Sequence, residues 1–180
     1  EAAVLASRED IGLSNDLKIG LAKTCLENNK EEAASEVIME VMRNAPNQNL
    51  VNKAMGVFES AGKGHLGKEL AQRSQKEVKD LVALGVQKAK EGDFRGSVEL
   101  MSSAARKSPD NPQVVLNAAL AALKCIENLG WDQSTGALAK QLIDSAARLD
   151  PMNNRLKAIR GLYEELQKRF GIDAVRAKLG

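Results

Sequence analysis

Apolar residues recur every three or four positions along most of this chain, a spacing that places them on one face of an α-helix. The pattern is clearest in residues 78–112, on both sides of a turn at Gly92 and Asp93. Before the turn, four residues share one predicted face: Leu81, Leu84, Gly85 and Lys88. After it, five more do so: Phe94, Ser97, Met101, Ala104 and Ala105. A single helix pair cannot bury both of its faces, so the pattern predicts stacked neighbours.

The same reasoning divides the whole chain into successive helical units and predicts an all-α fold in one domain, 1–180. The predicted units are a leading helix (1–13), a first helix pair (14–46), a degenerate pair (47–77), a third pair (78–111), a fourth pair (112–151) with an inserted loop (128–136), and closing helices (152–180). Ser14 or Asn15 is expected to cap the first pair. The turn of that pair reads Asn28-Asn29-Lys30, and Asn tolerates the left-handed backbone that Gly usually supplies at such a place.

The boundary between the second and third units lacks a proline. The second half of the degenerate pair is polar and leads directly into the next unit. We therefore expect one long helix from about Leu66 to Glu91, with a break near Ser74 as the alternative.

Residues 78–112 resemble a tetratricopeptide repeat, a two-helix unit of about 34 residues. Leu84 and Gly85 stand at places 7 and 8 of that repeat, the turn follows at places 15 to 17, and Pro109 stands at place 32. Counting back from Pro46 finds a second match, in Leu21, Ala22, Cys25, Ala34, Ile38 and Val41. The resemblance implies a right-handed α-solenoid of about four repeats with a closing C-terminal helix. It also implies a role in binding another protein.

In tetratricopeptide arrays the first helix of each repeat lines a concave groove. The resemblance carries this role onto the matching positions here: Lys23, Leu26, Lys53, Val57, Lys79, Val82, Val86, Lys90, Leu116, Leu120, Leu123 and Lys124. Such a face is apolar with a fringe of Lys and suits a peptide or amphipathic helix, including an acidic one. Trp131 in the inserted loop is a candidate anchor for a partner, with packing over the neighbouring helices as the alternative.

The charge balance argues against a nucleic-acid surface. The chain carries 26 Lys and Arg against 24 Asp and Glu, and it has only one Trp, one Tyr and three Phe. No apolar run approaches the ~20 residues that cross a bilayer, so no membrane role is expected. Cys25 and Cys125 stand alone in predicted helices, which favours core positions in a cytoplasmic protein. Glu1, rather than Met, begins the chain, and this suggests a segment of a longer protein.

The residues offer no convergent set for catalysis, and neither a metal nor a cofactor is expected. Gly62 to Lys68 has the spacing of a phosphate-binding loop, but Glu69 follows where Ser or Thr should hold magnesium, and no buried strand precedes it. His65 is the only histidine, so no histidine cluster can form. We interpret this stretch as a turn between helices.

Two functions from different classes fit these patterns. The first is a non-catalytic protein-binding module; the insertion and the closing ARLDPMNNRL run also resemble the tetratricopeptide part of bacterial response regulators, which would imply signalling. The second is a self-associating scaffold, a homodimer formed through the apolar residues 114–126. A concentration-independent monomer would favour the first function and a tight dimer the second.

Overall fold

The computed structural model describes residues 13–43 and 48–172. Within them the chain forms eight helices and no strand: α1 Asn15–Glu27, α2 Glu31–Arg43, α3 Gln48–Ser60, α4 Gly64–Lys90, α5 Phe94–Lys107, α6 Pro112–Leu129, α7 Gln133–Leu149 and α8 Asn154–Arg169. The all-α prediction is confirmed for this part of the chain. Nearly all of the predicted leading helix, Pro46 and the end of the closing segment lie outside the described residues. The chain divides into two compact units, residues 1–77 and 78–180, where the sequence predicts one array.

In the first unit, α1, α2 and α3 pack against one another. The first of these helices is capped by Ser14, whose side chain accepts a hydrogen bond from the backbone N–H of Leu17. The contacts are made by small and branched residues, among them Ala22, Ala34, Ala54, Ile38 and Phe58, which are all completely buried. Alanines at these positions let the helix backbones approach closely and explain why the sequence is rich in them at helical spacing.

In the second unit, α6 is the central helix. It packs against α5, α7 and α8, and α7 also packs against α8. Asn111 caps α6 by accepting hydrogen bonds from the backbone N–H groups of Gln113 and Val114, and Pro112 occupies the first helical position. A helix surrounded by three others must be apolar on most sides, as the sequence of α6 indicates.

The same turn closes three of the helices. Asn29, Gly62 and Gly92 all have positive φ, at 57°, 71° and 84°. Each donates its N–H to the carbonyl three residues earlier, and the next residue donates to the carbonyl five residues earlier, over 2.8, 2.7 and 2.9 Å respectively. This is the Schellman arrangement. The prediction that Asn stands in for Gly in the first of these turns is confirmed, and the residue with the left-handed backbone is Asn29.

The long helix is also confirmed: α4 runs without interruption from Gly64 to Lys90. Leu70 belongs to the hydrophobic cluster of the first unit and Val78 to that of the second. None of residues 71–77 between them is buried. The unit boundary thus falls inside one helix, at a segment that contributes to neither core.

The predicted loop at 128–136 is much shorter in the structure, where only residues 130–132 separate α6 from α7. The inserted residues lengthen both helices instead. Asp132 causes this, because its carboxylate accepts a hydrogen bond from the backbone N–H of Thr135 at 2.8 Å and from the Ser134 hydroxyl at 2.5 Å. An N-cap of this kind starts α7 at Gln133, inside the predicted loop.

These hydrogen bonds give a prediction about pH. The Ser134 hydroxyl, followed by the side chain and backbone of Thr135, lowers the pKa of Asp132 to about 2. Because the folded-state pKa lies below the unfolded value near 4, the ionised carboxylate stabilises the fold at pH values above about 4. This stabilisation is lost as the pH falls toward 2. We expect Asp132→Ala to cost about 1 kcal/mol at pH 7, after discounting for the exposure of this carboxylate. In urea titrations that difference should shrink below pH 4. Asp132→Asn keeps a capping oxygen without the charge, so it should cost less than Asp132→Ala at pH 7. Its difference from the wild type should also shrink below pH 4, because the pH dependence resides in the wild-type carboxylate. A cost of Asp132→Ala that is independent of pH would contradict the assignment.

One predicted buried position is exposed. The sequence places Leu84 on the packed face of its helix, but 51% of it is accessible, whereas Gly85 next to it is buried against Met101. Residues 84 and 85 are 100° apart around the helix. Helix α5 packs on the Gly85 side, and the Leu84 side remains accessible.

Candidate functional site

The central helix α6 has one accessible stripe. Ten of its residues are buried, on the sides that face its three neighbours. The positions left accessible in the body of the helix follow one another at intervals of four, three and four residues, and therefore share one face: Gln113, Asn117, Leu120 and Lys124. We call these four residues the α6 stripe. It is the surface on which this helix can meet another molecule.

The structure separates the groove residues predicted on α6 into two groups. Leu116 and Leu123 are completely buried in the core of the second unit and present no surface to a partner. Leu120 is half-buried against the same core, and Lys124 is exposed. The ammonium group of Lys124 lies 2.5 Å from the Glu127 carboxylate, so its charge is already partly neutralised.

The groove residues predicted on α4 lie together on one accessible side of the second unit. Val86 is 42% accessible and Val82 is half-buried against the core. Lys79 and Lys90 flank them and are exposed. In the described part of the chain neither Lys is within ion-pair distance of a carboxylate.

The remaining predicted groove residues lie in the first unit. Leu26 and Val57 are buried in its core. Lys23 is exposed, and Lys53 makes an ion pair of 2.6 Å with Asp16, which connects α3 to α1. Only the two lysines of this group face solvent, so an apolar binding surface is not formed by these four residues.

Trp131 packs against its own unit. Its ring lies 5.8 Å from that of Tyr163, centroid to centroid, with the planes tilted by 51°. Its other neighbour is the backbone of Gly136, where a Cβ atom would stand 2.5 Å from the indole Cζ2. The half-buried ring thus covers the contact between α7 and α8. Packing of the ring over the neighbouring helices is the predicted alternative to an anchor for a partner.

The structure adds one residue that sequence reasoning missed. The Arg155 guanidinium, at the start of α8, donates hydrogen bonds to Gln113 Oε1 at 2.8 Å and to Asn117 Oδ1 at 2.9 Å. Gln113 lies at a position that would line the groove of the predicted repeat, a signal that could have drawn attention to it. Nothing in the sequence pairs Arg155 with residues 42 and 38 positions away.

The remaining candidates for chemistry take part in local structure. Gly62 forms a helix-ending turn, and the hydrogen bond from Lys63 to Glu31 lowers the pKa of that carboxyl. Cys25 and Cys125 are free and buried, as predicted, and burial raises the pKa of the Cys125 thiol. Among residues 13–43 and 48–172, no three His, Cys, Asp or Glu side chains are grouped to hold a metal ion, and no helix has the length and apolarity to cross a membrane.

The resemblance of residues 78–112 to a tetratricopeptide repeat stays a prediction. Comparison with known proteins neither supports nor contradicts it. The chain matches no protein-family model, no curated protein and no solved structure.

Proposed function

We propose that this chain is a tetratricopeptide-like solenoid that binds a peptide or helix of another protein and performs no catalysis itself. The second unit carries the binding surface, formed by the α6 stripe and by the accessible side of α4 around Val82 and Val86. Most groove positions in the first unit are either buried or ion-paired, so that unit contributes to the repeat architecture rather than to an apolar contact.

The packing inside each unit supports the repeat architecture. In the first unit α3 packs against both α1 and α2, and in the second unit α8 packs against both α6 and α7. Each later helix thus sits on the pair before it, which is how stacked helix pairs extend a solenoid. The three turns at residues 29, 62 and 92 are 33 and 30 residues apart, close to the period of about 34.

The observation that supports the binding role is the difference in burial between the sides of α6. This helix is enclosed by three helices of its own chain and leaves one stripe accessible, with a half-buried Leu120 between two amide side chains and a Lys. A surface that combines a partly covered apolar side chain with polar groups at its edges suits an amphipathic segment.

The alternative, a self-associating scaffold, is less well supported. It assigns the apolar residues 114–126 to a contact between two copies, but most of them are buried within one chain, including Leu116, Ala119 and Ile126. Leu120 is the one large apolar side chain of this segment that remains partly accessible, which is little area for a dimer.

The test compares two exposed apolar residues of α4 that point in different directions. Val86 lies on the proposed binding side, and Leu84, two residues earlier, lies about 160° away around the helix. We expect Val86→Asp to lose the protein partners that the immobilised wild-type chain retains in a quantitative pull-down. Leu84→Asp makes an equivalent change at a similarly exposed site and should retain them. Circular dichroism should show both variants folded.

Two results would contradict the proposal. If both variants lose the partners equally, or if both retain them, the binding surface does not lie around Val86. A tight dimer in sedimentation velocity, unaffected by Val86→Asp, would favour the scaffold instead.

A further inference from the structure

We propose that Arg155 is the specificity-determining residue of the α6 stripe and that it binds a side-chain carboxylate of an acidic partner segment. The inference rests on the proposed function and names the chemistry of the partner, a segment of another protein with Asp or Glu along the side that faces α6. The observation behind it is a guanidinium held beside the stripe by two neutral amides.

The hydrogen bonds of Arg155 leave most of its donors unused. A guanidinium has five N–H donors in a planar fork, and here one from each terminal nitrogen donates to an amide oxygen, of Gln113 and of Asn117. The side chain as a whole remains exposed. These two contacts fix the plane of the fork and leave donors available for a carboxylate, which matches the fork geometrically.

The two amides add donors of their own. Because their oxygens accept from Arg155, their NH₂ groups remain to donate. Gln113 and Asn117 are four residues apart on α6 and so lie on one face. An anion bound to Arg155 at this place would therefore meet a cation and two amides at the same end of the stripe.

The charge of Arg155 is not neutralised by its surroundings. In the described part of the chain no carboxylate is within ion-pair distance of it. The segment 151–163 contains Arg155, Lys157 and Arg160 but no Asp or Glu. Lys124, at the far end of the stripe, is paired with Glu127. Charge complementarity therefore favours an acidic occupant, with Arg155 as its main fixed contact.

The experiment uses two fluorescein-labelled peptides of about 18 residues, five helical turns. Both carry Leu at helical spacing; the polar positions are Glu in one and Gln in the other. Fluorescence anisotropy with the full chain should show the Glu peptide binding about tenfold more tightly than the Gln peptide, because only a carboxylate forms a charged, bidentate pair with the fork. Arg155→Gln should abolish that preference and reduce the salt dependence of Glu-peptide binding. Arg160→Gln removes the same charge from an exposed site on α8 and should leave both unchanged.

The outcomes separate this inference from the proposed function. Equal binding of the two peptides to the wild type, or a Glu preference that survives Arg155→Gln, would overturn the role of Arg155 and leave the binding module standing. A preference lost equally in Arg160→Gln would show a diffuse charge effect and also overturn it. If neither peptide binds, the proposed function fails for this class of partner and the inference fails with it.

Discussion

Replacing Gly85 by Leu should lower the free energy of unfolding by about 1–3 kcal/mol. Gly85 is buried on α4, where a Cβ atom would stand 3.0 Å from Met101 Cγ and 3.1 Å from Met101 Cε. The flexible Met side chain can yield to one methyl group, but the further carbons of Leu would have to displace α5. Since small domains are stable by only about 5–15 kcal/mol, urea unfolding should detect this loss clearly.

Gly161 provides the matched control. It lies inside α8, is exposed, and has no atom within 4 Å of an added Cβ. Gly161→Leu should leave stability unchanged or raise it by up to about 1 kcal/mol, because Leu favours helix over Gly. If Gly85→Leu unfolds at the urea concentration of the wild type, α5 does not pack against α4 at this point.

Replacing Gly136 by Ala should destabilise the second unit through Trp131. The new Cβ would lie 2.5 Å from the indole Cζ2 and 2.8 Å from Cε2, so the ring would have to leave its place beside Tyr163. We expect a loss of about 1–3 kcal/mol, which exceeds the gain of up to about 1 kcal/mol that Ala brings to a helix. Thermal unfolding followed by circular dichroism would measure it.

A double mutant tests the mechanism of that loss. The three atoms nearest the new methyl group all belong to Trp131. In a Trp131→Ala background they are removed, so Gly136→Ala should become stabilising, by about 0.5–1 kcal/mol. This change of sign is the expected coupling between two residues in contact. The same cost in both backgrounds would mean that the Trp131 ring does not rest on Gly136.

Much of the fold follows from local sequence signals. Ser14, Asn111 and Pro112 mark helix starts, and Asn29 and Gly92 mark ends. These features act over four or five residues, through capping hydrogen bonds and left-handed backbone, so they can be recognised without tertiary contacts. The missing proline before residue 78 similarly indicated the continuous α4. The loop predicted at 128–136 is too long. The inserted residues were assigned to irregular structure, whereas the cap at Asp132 places residues 133–136 in α7.

The surface proposed for binding depends on contacts between distant parts of the chain. Leu116 and Leu120 are one helical turn apart and equally apolar, yet one is enclosed by neighbouring helices and the other borders the accessible stripe. Helical spacing determines which residues share a face, but it does not determine how many neighbours a helix has.

The sequence by itself determined that this chain is helical, where most helices begin and end, and which small residues lie at close contacts. Those properties arise from backbone conformation and hydrogen bonds within a few residues. The tertiary structure alone decided that α6 is enclosed on all sides but one, that Leu84 is exposed, and that Arg155 reaches the amides of Gln113 and Asn117. Burial and long-range hydrogen bonds depend on which helices pack together, and that choice is made by the sum of many weak contacts across the whole unit.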